Sequence, residues 1–306
     1  MKQSLHKINQ STLLFDVTLV TAIFILAFCL ADYMGSSIQA MGIGLGWISC
    51  ILLLVSMKIM EFYFLTVKQL DPDHLFLLRG IPGLAKEEKS KTINSPYHGL
   101  IALLLILGSW AVIQFVLLNM GLLSFNNLLL LAVIMVTVFL LNGSVLHLFN
   151  TGFAELGQSF LLFGLFPLYA YQIISGESHI LILLICIPLT FFYISARILV
   201  SLFQYTQDQE RGRKNFLQVV GWKHSMQVHN LFILLGFVLY ACIPLFGYPR
   251  QIFLHPLLTL PLGILLILMM HRIERGKKPE WQSFIFLEKV LTILVVYFLA
   301  AAMILS

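Results

Sequence analysis

Runs of about 20 consecutive apolar residues, the length of helix that crosses a hydrocarbon layer roughly 30 Å thick, recur from one end of this chain to the other. No other feature restricts the fold as strongly. A backbone in hydrocarbon must satisfy its own N–H and C=O groups, which leaves only helices or a closed barrel, and long unbroken runs select helices. Nine spans are expected, at residues 14 to 35, 43 to 66, 98 to 119, 126 to 148, 157 to 176, 179 to 200, 227 to 247, 254 to 271 and 284 to 305. With 59% hydrophobic and only 11% charged residues over 306 positions, a water-soluble domain is excluded. The fold class is therefore all-α, a polytopic membrane bundle forming one domain over residues 1 to 306, with membrane lipid as its surroundings.

The first run is too long for the core of a signal peptide and reads as a mature span. Cys29, Cys50, Cys186 and Cys242 stand singly inside apolar runs, as small core residues do. Cations set the orientation, because Lys and Arg near span ends stay on the cytoplasmic side. Lys2 and Lys7 precede the first span, Lys68 to Lys91 fill the second connection, Arg211 to Lys223 the sixth and Arg272 to Lys278 the eighth. Among the odd-numbered connections only Arg250 appears. The N-terminus is expected in the cytoplasm and the C-terminus on the opposite side. The net charge of +5 is thereby a topology signal and implies no nucleic acid partner. Nothing in the sequence sets the oligomeric state.

Polar chemistry concentrates in two inward connections, residues 67 to 97 and 203 to 226, which are expected to be cytoplasmic loops. The second contains Gln204, Asp208, Glu210, Arg211, Gly212, Arg213, Lys214 and Gly221. On charge alone this is a balanced, solvated loop. Its spacing, however, resembles the second aspartate motif of the UbiA prenyltransferase superfamily, in particular the dihydroxynaphthoate branch that makes menaquinone precursors. Members carry DxxxD, a glycine four residues on, a basic pair, Thr-Leu and a second glycine. Asp208 falls on the second aspartate, Arg213 and Lys214 on the basic pair, and Gly212 and Gly221 on the glycines. Gln204 replaces the first aspartate, and Asn215-Phe216 replaces Thr-Leu.

Two further stretches bear on the resemblance. Thr151-Gly152-Phe153-Ala154-Glu155-Leu156 is similar to the family's YGLGEL, keeping Gly152, Glu155 and Leu156. Where NDxxD should close the second span the chain reads Met60-Glu61-Phe62-Tyr63-Phe64, so Glu61 stands for one aspartate, with Asp71 near the downstream acid. The resemblance implies a bundle around a central cavity. It also implies a polyprenyl diphosphate held through magnesium, on Asp208, Glu61 and Asp71, and a prenyl group passed to an aromatic acceptor. Asp208 and Glu61 are the implied catalytic acids. Gln204, Arg211, Arg213, Lys214, Lys68, Glu155 and Gly152 are the implied substrate contacts.

Fewer carboxylates should hold magnesium more weakly, while basic residues can grip diphosphate directly. Three readings follow: a divergent prenyltransferase, a catalytically silent relative that binds isoprenoid lipid or quinone or scaffolds a partner, and an unrelated transporter. Several other residues have simpler expected roles. Glu61 has Lys58 three residues away as a helical ion-pair partner, His224 and His229 are expected at the surface, and Tyr169 and Tyr171 in an aromatic belt. Pro167, Pro188, Pro244 and Pro261 are expected to kink their spans.

Overall fold

A computed structural model describes residues 2–67, 96–142, 154–210 and 216–306, and every element within them is helical. The chain runs through α1 (Lys2–Tyr33), α2 (Ala40–Val67), α3 (Pro96–Asn119) and α4 (Phe125–Asn142). It continues through α5 (Ala154–Phe160), a π-helical turn (Leu161–Leu165), α6 (Phe166–Ser175) and α7 (Ile180–Glu210). The last part comprises α8 (Phe216–Val220), α9 (Trp222–Cys242), α10 (Arg250–Leu254), α11 (Leu260–Glu274) and α12 (Trp281–Ile304), with short 3-10 turns on either side of α10. Among the described residues eight segments are long and apolar enough to cross a bilayer, and Phe125–Leu141 is a shorter apolar helix in the position of the fourth expected span. The expected end of that span, at residue 148, lies outside the described residues.

The sixth span differs from expectation in a way that matters for the site. It does not stop at residue 200 but continues as helix to Glu210, and α8 and α9 follow closely. The expected loop at residues 203 to 226 is therefore largely helical. Gln204 and Asp208 stand on the last turns of a long membrane helix, which fixes their angular position relative to everything before them. The reason lies in the residues: Leu202 is buried in the core, and Phe203 and Tyr205 pack against it, so apolar burial continues past the point where polar residues appear.

The helices close a circuit. α1 packs on α2, α6 and α12; α2 packs on α3 and α4; α4 meets α6; α6 meets α7; α7 runs along α9; α9 packs on α11; and α12 returns against α7 and α1. α3 rests chiefly on α2, and its other faces present Leu104, Leu105, Val112 and Phe115 outward, as a lipid-facing helix does. Of the four prolines expected to kink spans, only Pro188 lies inside a helix. Pro167, Pro244 and Pro261 each sit in the first turn of a new element, where no intrahelical N–H is required. Near Pro188 the Tyr240 hydroxyl donates to the Ile185 carbonyl at 2.8 Å, tying α9 to α7.

Close approach of α2 to α6 depends on Gly42, where an added Cβ would lie 2.7 Å from the Ile173 carbonyl oxygen. Backbone cannot rotate out of the way as a side chain can. Gly42→Ala is expected to destabilise the protein by about 1–3 kcal/mol, seen as a lower midpoint of thermal unfolding in detergent. Gly108→Ala, which has open space around it, should leave the midpoint unchanged or slightly raised.

Candidate functional site

α7 carries a polar stripe through an otherwise apolar helix. At 100° per residue Tyr193, Arg197, Ser201, Gln204 and Asp208 fall within about 80° of one another. Tyr193, Arg197, Ser201 and Gln204 are all buried. Ionisable side chains are costly at such depth, so their placement points to pairing or function.

Two residues of α5 and the π turn support the stripe. The wider turn lets residues five apart share a face. Gln158 accepts a hydrogen bond from the Arg197 guanidinium at 2.9 Å, and Phe163 packs on the Tyr193 ring with centroids 5.3 Å apart. Tyr193 in turn donates to Asp16 Oδ1 on α1 at 2.9 Å, and the Arg197 guanidinium lies 5.9 Å from the Tyr193 ring centroid. Beside this group is a cleft between α1, α7 and α12, lined by Phe15, Ala196, Arg197, Val200, Ile285 and Lys289. The Lys289 ammonium lies 5.2 Å from the Phe15 ring centroid. Among the described residues, Arg197, Lys289 and Asp16 gather here.

The opposite face of α7 carries a second polar cluster. Ser195, two residues from Arg197 and hence about 200° around the helix, donates through a short hydrogen bond to Glu288 on α12. The other Glu288 oxygen faces His229 Nε2 of α9 at 3.4 Å. All three side chains are buried, and Phe284 meets the His229 ring edge-on. His229 is thus a core residue, contrary to the surface position expected of it. Its position facing Glu288 joins two helices that sequence spacing does not connect.

A third cluster joins α2, α3 and α6. Gln114 donates to Ser49 at 2.6 Å, and Tyr169 reaches both Ser49 at 3.2 Å and the Gln114 carbonyl at 3.1 Å. Tyr169 and Tyr171 are consequently buried and form no interfacial belt. Trp281, with Phe203, Trp222 and Tyr205, forms a half-buried edge-to-face chain of rings near the end of α7.

Of the residues singled out in the sequence, Gln204 is buried and partnered on the α7 stripe. Asp208, Glu61 and Glu155 have their backbone in α7, α2 and α5, while their side chains fall outside the described residues. Asp71, Lys68, Gly152, Arg211, Arg213 and Lys214 lie outside the described residues altogether. Sequence reasoning passed over Asp16, Arg197, Glu288 and Lys289. The signal was available: each is an ionisable residue inside or at the edge of an apolar run.

Magnesium seeks oxygen donors, chiefly carboxylates. Among the described residues no group of three or more His, Cys, Asp or Glu is placed to hold a metal ion. Met60 is buried in the apolar core where the resemblance would put an asparagine, and the cleft presents Arg197 and Lys289. The residues that the resemblance implies for magnesium, Asp208, Glu61 and Asp71, have side chains outside the described residues.

Solved structures share the fold. The chain is similar to the apo structure of a UbiA homolog from Aeropyrum pernix K1, with a TM-score of 0.54 and 14% identity over 93% of this chain and 97% of that one. It is similar to a UbiA homolog from Archaeoglobus fulgidus bound to GPP and Mg2+, with a TM-score of 0.57 and 15% identity over 95% and 99% of the two chains. A structure of that homolog with DMAPP and Mg2+ gives 0.56 and 14%, over 96% and 99%. No family model and no curated protein matches the sequence. At these identities the likeness establishes the fold.

The Glu288 cluster yields a direct test of how the helices are held. Glu288→Ala removes the acceptor of Ser195 and the group facing His229 Nε2, leaving Ser195 its bond to the Phe192 carbonyl, and should cost about 1–3 kcal/mol, read from denaturation in detergent. Glu288→Gln, which can still accept from Ser195, should lose clearly less. Equal effects for the two substitutions would show that the hydrogen bond to Ser195 contributes little.

Proposed function

We propose that this protein handles a prenyl diphosphate within the membrane and passes its prenyl group to an electron-rich aromatic acceptor. The observation that carries the reading is the α7 stripe. In a fold whose solved relatives hold GPP or DMAPP, this chain lines one helix face with Tyr193, Arg197, Ser201 and Gln204 and leads them to Asp208. The diphosphate would sit at that end of the bundle, with the prenyl tail among the apolar faces of the helices. Arg211, Arg213, Lys214 and Lys68 would stand at the headgroup end. Gly152, Glu155, Glu61 and Asp71 complete the proposed surroundings by their motif positions. The excess of cations in the even-numbered connections supports placing this end in the cytoplasm, where water-soluble diphosphates are available.

The chemistry asks little covalent work of the protein. The allylic carbon–oxygen bond breaks, its electron pair leaves with the diphosphate, and a ring carbon of the acceptor forms the new carbon–carbon bond before losing its proton to water or a nearby base. Stabilising the departing anion is the main requirement, and oriented cations satisfy it. A second reading is favoured by Gln204 and Met60, which stand where the motifs of the resembling family carry an aspartate and an asparagine. On that reading the chain binds an isoprenoid diphosphate without turnover.

Protein purified into nanodiscs, supplied with labelled prenyl diphosphates and a panel of hydroxylated aromatic acids, is expected to form a prenylated product. Asp208→Asn should lower the rate by about 10- to 100-fold, the loss of roughly 1.4–2.7 kcal/mol of transition-state stabilisation. Binding without product would select the second reading, and failure to bind any prenyl diphosphate would exclude both.

A further inference from the structure

We propose that the turn between α11 and α12 binds the phosphate of an anionic lipid headgroup through Arg272, Arg275, Lys277 and Lys278. None of these residues belongs to the α7 stripe, so the site stands whether or not the chain takes a prenyl diphosphate.

Depth in the membrane comes first. α11 ends at Glu274 and α12 begins at Trp281, and both lie in segments long and apolar enough to cross a bilayer. Residues 275–280 are too few to carry the chain away from its surface. Aromatic rings mark the same level. Trp281 meets Phe203 with centroids 6.1 Å apart and Trp222 with centroids 6.4 Å apart, which brings the start of α9, with the exposed Lys223, to this end as well. Tryptophans favour the boundary between hydrocarbon and headgroups. The four cations therefore stand at headgroup depth.

Their availability comes second. Cations after a helix C-terminus can serve the carbonyls left over there. Here the backbone takes those carbonyls. Gly276, with φ +83°, turns the chain so that its N–H donates to the Ile273 carbonyl at 2.9 Å and the Lys277 N–H to the Arg272 carbonyl at 3.1 Å. The Arg275 N–H reaches the His271 carbonyl at 3.2 Å. The carboxylate of Glu274 is occupied too, facing His271 Nδ1 at 3.2 Å. Arg272, Arg275, Lys277 and Lys278 are exposed, and among the described residues none of them forms an ion pair. Sidedness requires only that cations be present in a connection. It does not require four of them within residues 272–278 with neither carbonyls nor carboxylates to hold them.

The chemistry of the partner comes third. Arg and Lys make strong charge-assisted contacts to phosphate oxygens, and a group of four or more beside a membrane helix suits an anionic headgroup. A lipid fits better than a free phosphate. Its head is anchored at the depth of the turn, and its chains can lie along the outward Ile264, Leu265 and Leu268 of α11.

The test is a titration of the full chain in detergent with phosphatidylglycerol, and separately with phosphatidylcholine of the same acyl chains, counting bound lipid by native mass spectrometry. Phosphatidylglycerol is expected to bind at least about 10-fold more tightly. Arg275→Gln should lower that preference about two- to fivefold, and Gln at all four positions should bring it within about twofold of phosphatidylcholine. Phosphatidylcholine binding, unchanged throughout, reports an intact fold. If the fourfold variant loses that as well, Lys277→Gln with Lys278→Gln, both in the exposed turn, decides the matter by the same criterion. Arg250→Gln, a cation in an odd-numbered connection, should leave the preference as it is. No preference in the parent, a preference kept by the charge variants, or an equal loss from Arg250→Gln would overturn the inference. Displacement of phosphatidylglycerol by an equal concentration of inorganic pyrophosphate would overturn it in favour of a free phosphate site.

Discussion

Hydrocarbon offers no hydrogen bonds, so each polar side chain inside this bundle has to meet another part of the same protein. That requirement acts on a chain whose helices would otherwise slide against one another, because lipid and leucine are equally apolar and burial alone selects no register. The polar clusters supply the selection. Asp16 with Tyr193 ties α1 to α7, Ser195 with Glu288 and His229 ties α7 to α12 and α9, and Ser49 with Gln114 and Tyr169 ties α2, α3 and α6. α7 takes part in two of the three, on opposite faces. Its rotation is thereby fixed, and with it the direction in which Arg197 and Gln204 project.

The clusters are not equivalent in what they leave over. Ser49, Gln114 and Tyr169 satisfy one another and are electrically neutral. Around Arg197 the cluster is charged instead, with Lys289 of α12 and Asp16 of α1 close by. The first cluster is self-contained and neutral, whereas the second sets ionisable groups beside a cleft. The fold thus separates holding the helices together from presenting charge, and the π turn serves the latter by bringing Gln158 and Phe163 to the same neighbour.

How much of this was legible in the sequence follows from the length scale of each signal. The spans were readable because burial in lipid writes itself as a continuous run: α3, α12 and the apolar part of α1, Leu14–Tyr33, fall close to the expected segments, while α1 itself starts earlier, at Lys2. The extension of α7 was not, because polar residues at 204 to 210 look like a loop when the deciding fact is the core packing of Leu202, Phe203 and Tyr205. Pairings such as Tyr193 with Asp16 join residues 177 apart, and no local period announces them. His229 and Tyr169 were misplaced for the same reason, each having been read by its neighbours in sequence rather than in space. The motif resemblance around Asp208 led to the fold that the solved structures share. It gave no hint of Arg197 or Lys289, since these belong to apolar runs rather than to the motif.

The account turns on where the anionic head of the ligand rests in relation to the α7 stripe. An experimental structure of the full chain with a non-hydrolysable prenyl diphosphate analogue and magnesium locates it directly. Phosphate density at the Gln204–Asp208 end of the stripe, with the tail among the helices, is the result this account predicts. Density held elsewhere, with no residue of the stripe in contact, would contradict it.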